Sequence, residues 1–117
     1  MRTAFLAAAA IVLLPLVAGP AQAEPRVAEL MATINEPATR SYIVGLAHGT
    51  EWASVKASTR GGLPIYCPPS ALAITDDQHI SIFSRYATSK QAGHRFAGQA
   101  MLFALIDAFP CPATAPR

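Results

Sequence analysis

Two cysteines, Cys67 and Cys111, constrain this chain most, because each is followed by a proline in a sequence that opens like an export signal. The opening is MRTAFLAAAAIVLLPLVAGPAQA. Arg2 supplies a positive n-region, residues 5–17 an apolar h-region, and Ala21-Gln22-Ala23 the small-x-small pattern that a signal peptidase cuts after. A membrane anchor fits less well, since the apolar run is short and carries Pro15. The sequence therefore predicts a leader over residues 1–23, cleavage after Ala23, and no membrane segment in the mature form. Outside the cytosol, two cysteines in a small domain are read as a disulfide. Free buried thiols and an intermolecular bridge are the alternatives. For cysteines 44 positions apart, loop entropy puts an intramolecular bridge at about 4 kcal/mol.

The 117 residues less the 23-residue leader leave 94, enough for one domain over 24–117 with a modest core. Without Arg2 the chain holds 8 basic and 7 acidic residues, a net charge of +1. No basic patch is dense enough to hold a nucleic-acid backbone, so nucleic acid is excluded as a partner.

Along the mature chain the apolar spacing is helical. Val27, Leu30, Met31 and Ile34 form a first stripe. Asn35-Glu36-Pro37 interrupts it: either Asn35 caps a second helix with Pro37 in its first turn, or Pro37 kinks one long helix. Tyr42, Ile43, Leu46 and Trp52-Ala53 continue the pattern to about Lys56. Gly45 and Gly49 lie four apart, a spacing that lets a neighbouring helix approach closely. Residues 58–64, with a double glycine and Pro64, form a loop. Pro68 then holds Cys67 extended.

Thr75-Asp76-Asp77-Gln78 reads as a capping box with two carboxylates in the first turn of a helix. Ile80, Phe83 and Ala87, with Ile82 and Tyr86 beside them, mark that helix's inner stripe. After a turn at residues 89–93 a last helix is expected over 92–109. Its inner edge is read as Phe96, Ala100, Phe103 and Ile106 or Asp107, broadened by Leu102, Leu105 and Phe109. An antiparallel return over 76–109 brings Cys67 and Cys111 together. The fold class predicted is all-α, a bundle of about four helices whose C-terminal hairpin is closed by one disulfide.

Catalytic patterns are weak. His48, His79 and His94 show no metal-ligand spacing in the sequence, and no metal or cofactor is expected. Ser81 and Ser84 lie near His79 but lack an orienting acid. There is no paired-carboxylate pattern, no Cys-x-x-Cys and no phosphate-cradling glycine loop, so no enzyme is expected. Trp52 is read first as a core residue and second as an exposed anchor for a partner. His94 and Arg95 belong either to a solvated face or to a partner surface.

The stretch from Tyr66 to Cys111 resembles the Rap/Tai family of type VI secretion amidase immunity proteins. The resemblance rests on Cys67 with Pro69, Thr75 with Gln78, Tyr86, His94 with Arg95, Ala104 with Leu105, and Ala108 to Cys111. Upstream, Tyr42, Gly45 and Gly49 resemble the family's glycine-containing first helix. Residues 89–93, Ser-Lys-Gln-Ala-Gly, stand where the family commonly has a His-Pro-Glu turn, and an early helix cysteine of many relatives is absent. The resemblance implies a periplasmic, often dimeric protein that performs no chemistry. Such a protein blocks the active site of a peptidoglycan amidase effector, making toxin neutralisation its role. The surface for that partner is expected at 49–64 and 88–95, with Glu51, Trp52, Arg60, His94 and Arg95 as contact residues. The alternative is an exported helical structural or interaction protein with no cognate amidase.

Overall fold

The computed structural model describes residues 23–113. The leader read over 1–23 lies outside the described residues, save for Ala23. Among the described residues there are four α-helices: α1 (Val27–Ala32), α2 (Pro37–Thr59), α3 (Asp76–Ser89) and α4 (Ala97–Ala108), with a short 3-10 turn, Ala92–His94, between α3 and α4. The chain is a small all-helical bundle carrying one disulfide, Cys67–Cys111, with Cα atoms 4.8 Å apart.

Pro37 breaks the N-terminal helical stretch. It occupies the first turn of α2, where its missing N–H removes no helical bond. The N-cap is Glu36, without a side-chain bond, and not Asn35. At its other end α2 runs to Thr59, three residues past the expected stop at Lys56. The N–H of Gly62 donates to the Ala57 carbonyl and that of Gly61 to Ser58, each at 3.2 Å. This double closure needs a left-handed residue after the cap, and Gly61 supplies it at φ 79°.

The Thr75–Gln78 capping box is formed in both directions: Gln78 N–H donates to Thr75 Oγ1 at 3.3 Å, and Thr75 N–H to Gln78 Oε1 at 2.8 Å. Ile80, Ile82, Phe83, Tyr86 and Ala87 are all buried on α3, as the spacing requires. After α3 the left-handed residue is Gln91, φ 49°, and not the nearby Gly93.

The last helix is shorter than the 92–109 expected, for a reason that lies at the other end of the chain. Arg26 and Phe96 form an isolated antiparallel bridge. Val27 N–H donates to Arg95 O and Ala97 N–H to Pro25 O, both at 3.0 Å. That pairing holds 95–96 extended, so α4 starts only at Ala97. Its buried residues are Ala97, Ala100, Met101, Ala104 and Leu105, at helical spacing. Phe96 instead stands exposed beneath the Arg26 guanidinium, 3.7 Å from its ring centroid, and Phe103 is only partly buried. The alanines allow α4 to pack closely on both α2 and α3, with Phe83, Ile43, Met101, Leu105 and Val27 forming the innermost core. The Lys90 ammonium, just past α3, lies 3.6 Å from Asp107 in the last turn of α4.

Gly45 and Gly49 are not helix-packing sites. Both face solvent, and a Cβ at either would meet nothing within 4 Å. The side of α2 that packs inward is Thr39, Ile43, Ala47 and Ser54.

Candidate functional site

The strap 65–74 crosses the C-terminal half of α2 and is tied down at three points. Ser54 Oγ, buried on α2, accepts from Ile65 N–H at 2.9 Å. Cys67 N–H donates to Phe109 O at 2.8 Å. The Tyr66 ring, itself buried, lies 6.4 Å from that of Phe109. Together with the disulfide these bonds fix the end of the bundle that carries the 49–64 surface.

On that surface Trp52 is 72% exposed, which overturns its reading as a core residue. Val55, one helical turn further on, is exposed as well, and so are Leu63 at 70% and Leu72. Glu51 and Arg60 are exposed too, Arg60 as the C-cap of α2. His94 and Arg95 lie on a different surface. His94 is exposed on the 3-10 turn, where its carbonyl accepts from Arg26 Nη1 at 2.7 Å. Arg95 is half-buried, its guanidinium 5.4 Å from the Phe103 ring centroid. The 3-10 turn packs on α1 and α3. The five residues read from the sequence as partner contacts thus form two groups, one on α2 and one at the turn before α4.

A second cluster was not legible from spacing. His48 on α2 and Asp76 and His79 on α3 present one ligand atom each, all within 4.8 Å of one another. The His48 and His79 rings meet edge to face, 5.7 Å between centroids. His79 is 2% exposed, and neither of its ring nitrogens has a hydrogen-bond partner among the described residues. Burial pushes the His79 pKa down, and the neighbouring His48 adds to this; Glu51 and Asp76 oppose it. Ser84 Oγ donates to the Ser81 carbonyl at 3.2 Å, and neither Ser81 nor Ser84 bonds a His79 nitrogen. His48 comes from another helix, 31 positions away from His79 in sequence, which is why linear spacing is silent about the cluster.

Burial also pushes up the phenol of Tyr66, with Glu51 adding to the shift, and the phenol of Tyr42, with Glu24 adding. Both are therefore neutral donors at physiological pH. The cleft between the strap, α3 and α4 is about 470 Å³ and mixed in character, with Leu72, Ile74, Ile82 and Phe109 facing Arg85 and Asp107. Among the described residues no helix is long and apolar enough to cross a membrane. Comparisons with protein-family models, with curated proteins and with solved structures returned no match for this chain.

Proposed function

We propose that this chain is a periplasmic immunity-type binding protein that neutralises a peptidoglycan amidase effector by covering its active site. The resemblance carried by Cys67, Thr75, Gln78, Tyr86 and the Phe109-Pro110-Cys111 ending supplies the class of partner. The observation that carries a binding role is the outward-facing Trp52 on a helix whose opposite side is locked into the core. An exposed tryptophan beside Val55, with Leu63 and Leu72 exposed on the adjoining loop and strap, has the composition of an interface anchor. Its backbone is held by the Ser54–Ile65 bond and the disulfide, so little ordering entropy is spent on docking. The protein contributes shape and excluded volume, not chemistry. The resemblance also implies a homodimer, and sedimentation of the processed protein reads its oligomeric state directly.

The test starts from the adjacent reading frames: any cysteine-histidine amidase encoded there is purified and its hydrolysis of sacculi measured with and without this protein. One equivalent of the processed protein is expected to stop release of muropeptides. Trp52→Ala is expected to weaken inhibition by roughly 30-fold or more, the loss typical of an aromatic hot spot. Full hydrolysis in the presence of excess protein, or the absence of any neighbouring amidase gene, would transfer the assignment to an exported interaction protein without a cognate amidase.

A further inference from the structure

We propose that His48, Asp76 and His79 bind one divalent transition-metal ion of the zinc type at the junction of α2 and α3. Each donor is of the right kind: imidazole nitrogen suits zinc, copper and nickel, and a carboxylate completes a set of two nitrogens and one oxygen. Asp76 and His79 are three apart on α3 and therefore share a face, while His48 reaches across from α2. Three protein ligands leave a fourth position for water or for a group on a partner.

The pointer to a ligand is His79 itself. A buried imidazole with both nitrogens unpartnered bears an uncompensated desolvation cost, which an apolar residue such as the neighbouring Ile80, Ile82 or Phe83 would avoid. A metal bond satisfies one of those nitrogens. The other two ligands are free to adjust, since the side chains of His48 and Asp76 are 52% and 70% exposed. His48 Nε2 and Asp76 Oδ1 are 3.9 Å apart. Tetrahedral zinc with bonds near 2.0 Å holds its donors roughly 3.3 Å from one another. The whole set, His79 included, spans up to 4.8 Å, and the two exposed side chains are the ones with room to draw it in. Asp77, next to Asp76, is engaged by Arg40 and stays outside the set. The positive end of α3 works against a cation beside Asp76, which places the affinity below that of closed four-ligand sites.

The experiment is calorimetric titration of tag-free, chelator-treated processed protein with Zn²⁺. Binding of one equivalent is expected, with a rise in Tm on addition of the ion. His48→Ala, a change at an exposed position, is expected to weaken binding at least about tenfold, since loss of a mere outer-shell partner already costs about 10–100-fold. Asp76→Asn should behave similarly, and His79→Leu should remove both the binding and the Tm rise. His94→Ala, at the histidine remote from the cluster, should leave the isotherm unchanged. Co²⁺ absorption at tetrahedral intensity, lost in His48→Ala, provides a readout that folding alone does not move. If His79→Leu does not fold, His48→Ala decides the matter. No saturable binding near one equivalent, an isotherm unaffected by His48→Ala, or equal losses in His48→Ala and His94→Ala would each overturn the site.

Discussion

Replacing both Cys67 and Cys111 by alanine tests how much of this fold depends on its single covalent cross-link. The residues are 44 positions apart, and the segment they enclose holds α3, the 3-10 turn and α4. Restricting an unfolded loop of that length is worth about 4 kcal/mol. A domain of this size has roughly 5–15 kcal/mol in total. Both cysteines are only half-buried, so trimming them to alanine opens little cavity. The effect should therefore come chiefly from the unfolded chain. At about 4–8 °C per kcal/mol, Tm should fall by roughly 15–30 °C. Urea unfolding should show a lower midpoint and a steeper m, because an uncrosslinked denatured chain exposes more surface. The Cys67 N–H to Phe109 O bond and the Tyr66–Phe109 contact remain in the variant, so helical circular dichroism should persist in the cold. A Tm loss under about 5 °C with unchanged m would refute the reasoning. The strap would then be closed by those non-covalent contacts, and the disulfide would be incidental.

Two further outcomes follow from solvent-facing and buried positions. Gly49→Ala should stabilise the protein by about 0.5–1 kcal/mol in urea melts, because α2 gains helix propensity and the new methyl meets nothing. Because His79 has a depressed pKa in the fold, the unfolded chain binds the proton more readily. The stability that depends on its neutral form is complete above its unfolded pKa near 6.5 and is lost as pH falls toward the folded value. Thermal melts in chelator between pH 7.5 and 5 should show this decline in the wild type and a smaller one in His79→Leu. The groups facing His79, namely His48, Glu51 and Asp76, are left in place in that comparison.

The four-helix count, the capping box and the disulfide were legible because each has a local signature: apolar spacing, Thr75 with Gln78, and cysteines flanked by prolines. The inner stripe of α3 followed for the same reason. The phase of α4 did not. Large aromatics suggested that Phe96 and Phe103 point inward, yet the seam is made of Ala97, Ala100, Met101, Ala104 and Leu105. Small residues at helical spacing were the available signal, and they matter because close helix contact rewards small volume over large area. Gly45 and Gly49 misled in the opposite direction, since their spacing says nothing about which side of α2 faces a neighbour. Trp52 is apolar by composition but lies on the solvent side of a helix whose buried residues are Ile43, Ala47 and Ser54. The His48–Asp76–His79 cluster depends on how α2 lies across α3, which no local pattern encodes.

The first residues of the described chain are bound to nearly its last helix. Arg26 Nη1 donates to a carbonyl 68 positions later, and the Glu24 carboxylate accepts the N–H of Gly98, 74 positions later, at the otherwise uncapped start of α4. This stretch therefore stays unmatched until the segment around residues 94–98 is in place. Contacts of such range slow a folding reaction that helices alone would make fast. Loss of residues 24–26 would thus be felt at the far side of the sequence, as fraying of the helix that runs into Cys111.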